Sequence, residues 1–234
     1  NEAGIRAGYL RKSSIEMDDL VQAALKTVFG ADDMDDDCEN REGYGDGFSE
    51  ELMRQIACHE AGHTVIAEVL DPGCTTLVSI QPENGRPSGF TSRNMNRMLD
   101  PLMSHEADIL ISLGAAAAEE CIYGFYGTGA SQDFRDAYRT IETMVEDEAL
   151  LGFSLLQPQY HCSQTLQNQI ESAIRGEIGR YYRHAKSLIL ANSTFHQMLA
   201  RELVEKKVLL ASDIERIREQ VPQPVLPSRE PQAA

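Results

Sequence analysis

The amino-acid sequence predicts a mainly α-helical protein, built as a helical bundle-like domain with one small β-ribbon. Most of the chain repeats apolar residues every three or four positions, which is the spacing of amphipathic helices. Only residues 75–80 are rich in strand-forming side chains, and residues 88–91 follow a turn and are predicted as the return strand. Residues 114–118 are all small, which lets helix backbones pack closely in the centre of a bundle.

The first long helix is predicted to begin at Ser49, whose hydroxyl can cap it, and to end at the Asp-Pro-Gly turn of residues 71–73. One short helical pattern precedes it within residues 1–30 and stops at Gly30. The helices after the ribbon are predicted over residues 102–124, 133–150, 164–190, 193–205 and 211–220.

Composition divides the chain into four segments, of which residues 1–30 are the first. Residues 31–48 hold eight acidic residues against one arginine, and we interpret them as an acidic flexible linker. A metal-binding acidic loop is the weaker alternative, because no glycine and late glutamate lie at the offsets that a calcium loop requires. Residues 49–220 are predicted to form the folded domain, and the proline-rich residues 221–234 a disordered tail.

The net charge of −16 argues against one group of functions. Proteins that bind nucleic acid or anionic lipid present a broad basic face, which this composition does not favour. The segment 31–48 alone carries −7, which leaves −9 for the rest of the chain. The acidity therefore marks the linker more than it indicates a partner.

Cysteines and apolar runs indicate the compartment. The five cysteines are scattered and form no Cys-x-x-Cys pair, which indicates reduced thiols in a cytosol-like compartment. The apolar run Ile109 to Ala118 is too short for a membrane helix, which needs about 20 residues. The chain begins without a methionine or a signal-peptide pattern, so we expect it to be a piece of a longer protein.

The segment that carries chemistry is His59-Glu60-Ala61-Gly62-His63, inside the first long helix. Histidines four residues apart lie on one helix face, offset by about 40° and by about 6 Å of rise, so both can bind one Zn²⁺. Glu60 lies about 100° around the helix, where its carboxylate can accept a proton from water that attacks a carbonyl. The motif predicts His59 and His63 as metal ligands and Glu60 as the catalytic base.

A catalytic zinc site needs a third protein ligand, which the spacing of residues does not select. Asp133 follows a turn at a predicted helix start, and Glu119 and Glu120 end the preceding helix. Cys58 is predicted to point away from the metal as a core thiol. The acids and histidines that stay open as third ligand are Glu119, Glu120, Asp133, Asp136, His105 and His161.

Three separated motifs, taken together, resemble one known family. They are the zinc motif at 59–63, the Leu-Gly-Ala-Ala-Ala-Ala-Glu-Glu run at 113–120, and Thr-Gly-Ala-Ser-Gln-Asp at 128–133. Residues 49–218 thereby resemble the peptidase domain of the FtsH family, the membrane-associated, ATP-dependent zinc proteases of bacteria, mitochondria and chloroplasts. The resemblance implies a zinc endopeptidase, with one Zn²⁺ per chain, that cleaves unfolded or fed-in protein substrates.

The resemblance also implies roles for individual residues. Asp133 corresponds to the family's third zinc ligand, and Glu119 is expected close to the metal without binding it. Gly89, Phe90 and Thr91 are expected on an edge strand beside the cleft, where a substrate backbone can add in extended form. An ordinary ribbon without a substrate role is the equal alternative for these three residues.

Assembly and location are likewise expected from the resemblance. The family works as a hexameric ring, so a homo-oligomer or a partner ATPase chain is expected. No nucleotide-binding Gly-x-x-x-x-Gly-Lys loop occurs, and residues 15–24 resemble the last helix of an AAA ATPase lid. ATP would therefore act only through a module outside this chain. The bacterial cytoplasmic face or an organelle matrix or stroma is the expected location, with any membrane anchor upstream.

Two departures from the family pattern support an alternative function. Residues 114–116 are Gly-Ala-Ala in place of the usual Gly-Gly-Arg, and residues 151–154 alter an aromatic-Gly-Met-Ser segment. The alternative is a catalytically silent module for assembly or substrate reception in an FtsH-like complex. A different zinc hydrolase that shares only the helix motif is a third hypothesis. The intact His59, Glu60, His63 and Asp133 favour the peptidase.

Overall fold

A computed structural model describes residues 1–29, 49–82, 86–94, 101–148 and 163–222. The predicted acidic linker, the altered segment 151–154, His161 and the tail from residue 223 lie outside the described residues. The helices are α1 Glu2–Tyr9, α2 Met17–Phe29, α3 Glu50–Leu70, α4 Pro101–Tyr123, α5 Ser131–Glu146, α6 Gln164–Ala191, α7 Ser193–Lys206 and α8 Ala211–Glu219. The strands are β1 Thr75–Ser79, β2 Phe90–Arg93 and β3 Val208–Leu210. The predicted mainly α fold is confirmed.

Helices α3 and α4 form the centre of the domain and touch through their backbones. A Cβ added to Gly62 would lie 2.7 Å from the carbonyl oxygen of Gly114 and 2.8 Å from Cα of Ala115. A Cβ added to Gly114 would lie 2.7 Å from Cγ1 of Ile66. The small residues 114–118 are all buried, as predicted, because only side chains of this size allow the two helices to approach so closely.

The other helices wrap this pair and complete one core. Helix α6 packs on α4, α7 packs on α3, and α5 packs on α4. The largest fully buried side chains of these elements are Tyr181, Ile66, Ile109, Ile111, Leu113, Ile141, Met144, Ile174, Leu188 and Ile189. Burial of so much apolar surface holds the helices that carry the candidate site in fixed positions.

The sheet has three strands in the order β2-β1-β3, and both pairings are antiparallel. The predicted two-stranded ribbon was therefore incomplete. Strand β3 is only three residues long and lies directly between two helices, so it has no alternation that a sequence pattern could detect. Its pairing with β1 leaves β2 at the opposite edge of the sheet formed by the described strands, next to α3.

The helix predicted in residues 1–30 is present as α2, but the prediction missed a second helix, α1, which precedes it. Helix α1 buries only two alanines, Ala3 and Ala7, which give a weak apolar pattern. Buried Asp19 of α2 joins the two helices, because its carboxylate lies 3.5 Å from Nε of Arg6 on α1. The same carboxylate lies 2.9 Å from Nζ of Lys12 and accepts a hydrogen bond from the Glu16 amide, both in the connecting segment. No helix in the described part of the chain combines the length and hydropathy required to cross a membrane.

Candidate metal centre

The histidines of the His-Glu-x-x-His motif meet on one face of α3. Their ring centroids are 5.0 Å apart and their planes are nearly perpendicular, at 85°. Nδ1 of His59 lies 2.9 Å from Oε1 of Glu119, and Nδ1 of His63 lies 2.7 Å from the carbonyl oxygen of Ile111. Because both partners accept hydrogen bonds, each Nδ1 donates its proton to its partner, and Nε2 is the ring nitrogen that each histidine can offer to a metal.

Asp133 brings a carboxylate to these two nitrogens from the first turn of α5. Its Oδ2 lies 3.3 Å from Nε2 of His59, and its Oδ1 lies 3.5 Å from Nε2 of His63. The ligand atoms of the three residues all lie within 4.8 Å of one another. The loop before α5 ends in a short 3₁₀ turn, Thr128–Ala130, which packs against α4 and leads directly into α5.

One observation tests whether this cluster suits a metal ion. Oδ2 of Asp133 is buried and has no hydrogen-bond partner among the described residues. A buried carboxylate oxygen without a partner is costly, and a divalent cation between Oδ2 and the two Nε2 atoms would remove that cost. Two imidazoles and one carboxylate are also a ligand set that zinc accepts at a catalytic site. The residues present therefore fit a zinc ion.

The other candidates for a third ligand have different partners. Glu119 also accepts a hydrogen bond from the Gly127 amide, and Glu120 accepts one from the Tyr182 hydroxyl at 2.6 Å. The remaining described candidates are Asp136, which accepts from Gln132, and His105, which pairs with Glu148. Within the described residues, His59, His63 and Asp133 are the only three such side chains arranged to hold one metal ion.

Acidic groups dominate the electrostatics of the cluster. Burial lowers the pKa of His59, but the neighbouring carboxylates of Asp133 and Glu119 outweigh burial and raise it to about 10. The carboxylates of Asp133, Glu119 and Glu60 therefore give the cluster a negative local potential. A negative potential favours the binding of a divalent cation.

Glu60 lies on the inner side of α3 and is only 5% exposed. Burial raises the pKa of its carboxyl above the usual value, and the nearby His63 and His59 act in the opposite direction. Its Oε2 accepts a hydrogen bond of 2.8 Å from the hydroxyl of Thr91 on β2. The carboxylate is therefore held between the metal cluster and the edge strand.

A cleft of about 360 Å³ opens over these groups. Residues from four directions line it: His59, Glu60 and His63 of α3, Ile111 and Ser112 of α4, Gly129, Gln132 and Asp133 around the start of α5, and Gly89, Phe90, Thr91 and Arg93 at β2. All the residues that the sequence analysis assigned to catalysis, metal binding or the substrate edge line the cleft, except Glu119. Glu119 lies behind His59, where it contacts the imidazole rather than the cleft.

Two contacts at the site could not be found from the sequence. The carbonyl of Ile111 and the amide of Gly127 are backbone groups, and any residue type could supply them.

Cys58 is buried as predicted, and burial together with the nearby Glu119 raises the pKa of its thiol to about 12. Its carbonyl oxygen lies 2.9 Å from Nε2 of buried His196, a contact that ties α7 to α3.

The fold and the site together define a mainly helical protein with the His-Glu-x-x-His arrangement of metalloproteases. Residues 47–156 match the family model of peptidase family M41. The FtsH 2 ATP-dependent zinc metalloprotease of Symbiobacterium thermophilum is 31% identical over 229 residues, which cover 93% of this chain and 37% of that protein. These matches identify the chain as a peptidase domain of the FtsH family.

Further relatives agree with this assignment. An ATP-dependent zinc metalloprotease FtsH of Thermus thermophilus is 28% identical over 95% of this chain, and the FtsH 4 protein of Sorangium cellulosum is 27% identical over 93%. The matches cover 36% and 35% of those two relatives. The chain thus spans about a third of the length of the curated relatives that it matches.

Proposed function

We propose that this chain is a zinc-dependent endopeptidase that hydrolyses peptide bonds in unfolded or fed-in protein substrates. The observation that carries the proposal is the convergence of Nε2 of His59, Nε2 of His63 and the unpartnered carboxylate oxygen of Asp133 beside buried Glu60. The zinc named in the relatives' descriptions supports the same choice of metal. One Zn²⁺ per chain is expected.

His59, His63 and Asp133 would hold the zinc in this proposal. Zinc at such a site lowers the pKa of water and polarises a peptide carbonyl. Glu60 then accepts the proton of the attacking water and delivers it to the leaving amine. Glu119 keeps His59 oriented by accepting a hydrogen bond from Nδ1, so that Nε2 would be the nitrogen available to zinc.

We further propose that the chain is the proteolytic part of an ATP-dependent protease. The relatives are named ATP-dependent, and their matched portions cover about a third of their length. ATP would act through a module outside this chain, in a homo-oligomer with hexameric symmetry or through a partner ATPase chain. A reducing, cytosol-like compartment fits the free cysteines Cys58, Cys74 and Cys121.

The test compares metal content with hydrolysis of an unfolded, fluorescently labelled casein. Wild-type chain loaded with zinc should contain about one zinc per chain and cleave the substrate. Glu60→Gln should retain zinc, because the metal ligands remain. Its rate of hydrolysis should fall by a factor of about 10² to 10⁴, because the base is gone. Glu51→Gln, an exposed glutamate on the same helix, is the matched control and should keep full activity.

Two outcomes would contradict the proposal. Hydrolysis that survives Glu60→Gln would exclude the assigned base, and a wild-type chain that binds no zinc under zinc-replete conditions would favour the silent assembly module. His63→Ala should remove the bound zinc. If the wild type binds zinc but needs a feeding motor, a short unstructured peptide substrate separates the chemistry from substrate delivery.

A further inference from the structure

We infer that Gly89 and Thr91 form a clamp that sets the position of the Glu60 carboxylate for catalysis. This inference rests on the proposed function. It gives a positioning role to Thr91, which lies in β2, and to Gly89, which directly precedes β2. The carboxylate accepts a hydrogen bond at Oε2, and at Oε1 it lies so near Gly89 that no side chain fits at position 89.

The hydrogen bond comes from Thr91. Its hydroxyl lies 2.8 Å from Oε2 of Glu60 and 3.3 Å from the backbone oxygen of the same residue. A hydroxyl has one proton to donate, and the shorter contact to the carboxylate is the stronger one. The backbone oxygen of Glu60 also accepts a hydrogen bond of 2.8 Å from Thr64, so it does not depend on Thr91.

The space beside the other oxygen depends on Gly89. A Cβ placed on Gly89 would lie 2.7 Å from Oε1 of Glu60, 2.8 Å from its Cγ and 2.8 Å from Cγ2 of Ile56. Real Cβ atoms do not approach other heavy atoms so closely, so any larger residue must displace Glu60 or move the strand away. The absence of a side chain at position 89 therefore makes room for the base.

The clamp is fixed in space by the sheet. Thr91 pairs with Val78 of β1, and Val78 pairs in turn with Leu209 of β3. Val78 and Leu209 are fully buried in the core. Gly89 and Thr91 are two residues apart, so in extended backbone they face the same side, which is the side of Glu60. The position of the base thus depends on the register of β2 as well as on α3.

A simpler explanation is that the Thr91 hydroxyl only supplies a hydrogen-bond partner for the buried carboxylate of Glu60. This explanation makes different predictions. A purely structural role would alter stability and leave the turnover of the folded, metal-loaded protein unchanged. A positioning role lowers kcat through Glu60 while the KM and the metal content stay the same.

The experiment uses Thr91→Val, which keeps the shape and removes the hydroxyl, and Thr91→Ser, which restores the hydroxyl. Thr91→Val should lower kcat about 10- to 100-fold with unchanged KM and zinc content, as expected for one hydrogen bond to a charged group. Thr91→Ser should recover most of the rate. Thr76→Val is the matched control, because the Thr76 hydroxyl bonds Ser92 on the exposed side of the ribbon, and its kcat should equal that of the wild type.

A second readout does not depend on activity. In urea unfolding of the metal-free chain, Thr91→Val should lower the transition midpoint when Glu60 is present and leave it unchanged in the Glu60→Met background. Gly89→Ala should bind zinc normally and lose at least as much kcat as Thr91→Val, because it displaces the same carboxylate.

The results separate this inference from the proposed function. If wild-type hydrolysis requires Glu60 but Thr91→Val retains full kcat, the clamp is wrong and the proposed function stands. Loss of zinc from Thr91→Val, or equal loss of kcat in Thr91→Ser, would also overturn the clamp. Absence of zinc or of Glu60-dependent hydrolysis in the wild type would overturn the proposed function instead.

Discussion

The two sides of α3 are packed in different ways. On the side facing α4, Gly62 and Gly114 bring backbone against backbone, with a hypothetical Cβ 2.7 Å from a carbonyl oxygen. On the side that carries the metal ligands and the base, called the cleft side below, contacts run through side chains: His59 meets Glu119 of α4 behind the cleft, and Glu60 meets Thr91. The backbone contact cannot adjust, whereas side chains can rotate or shift.

The contacts on the α4 side therefore support the fold, whereas those on the cleft side set the properties of the site. The α4 side sets the distance between the two central helices, and a change there should destabilise the entire domain. The cleft side sets the orientation of the metal ligands and the base, and changes there should alter zinc affinity or turnover with little effect on folding. The following substitutions test this contrast, in order of decreasing effect.

The largest effect is expected for Gly62→Ala. The added methyl would meet the Gly114 carbonyl and Cα of Ala115, which belong to a backbone that cannot move without separating the helices. We expect a loss of about 3 kcal/mol or more in the free energy of unfolding, measured in urea. Gly176→Ala is the control, since nothing lies within 4 Å of its added methyl, and it should stabilise α6 by about 0.5–1 kcal/mol. Equal stability of Gly62→Ala and wild type would refute the close helix contact.

An intermediate effect is expected for Glu119→Gln. The carboxylate accepts hydrogen bonds from both Nδ1 of His59 and the Gly127 amide, whereas an amide side chain offers one acceptor atom and one donor atom. Zinc affinity, measured by competition with a chelator, should fall about 10- to 100-fold while thermal stability changes little.

Glu120→Gln is the matched control for this substitution. The Glu120 carboxylate contacts Tyr182 and Lys186, on the side of α4 away from the histidines. The zinc affinity of the Glu120→Gln variant should equal that of the wild type. Equal affinities for the two variants would show that Glu119 does not orient His59.

The smallest effect is expected for Gly127→Ala. The added methyl would lie 2.9 Å from Nε2 of Gln55 and 3.5 Å from Oε2 of Glu119, and both atoms are at the ends of side chains. Gln55 can rotate away, so the free energy of unfolding should stay within about 1 kcal/mol of the wild type. A loss as large as that of Gly62→Ala would remove the distinction between the two sides of α3.

The sequence predicted the parts that depend on local spacing. The His-Glu-x-x-His face of α3 and the small residues of α4 follow from helix geometry and side-chain size within single segments. Strand β3 escaped detection because three residues between two helices have no period. Helix α1 escaped because it buries only Ala3 and Ala7.

The third ligand candidate, Asp133, could not be selected from residue spacing. Six acids and histidines remained open from spacing alone, and resemblance to a family was needed to favour Asp133. The distances from Asp133 to both Nε2 atoms exist only after α5 packs on α4. The bond from Thr91 to Glu60 likewise joins residues 31 positions apart and depends on the strand register.

The most direct measurement of the central claim is the zinc content of Asp133→Ala and Asp136→Ala at one fixed free zinc concentration. The two aspartates lie on the same helix, and only Asp133 faces the histidines, while Asp136 contacts Gln132. The account predicts about one zinc per chain in the wild type and in Asp136→Ala, and none in Asp133→Ala. Full zinc content in Asp133→Ala would contradict it.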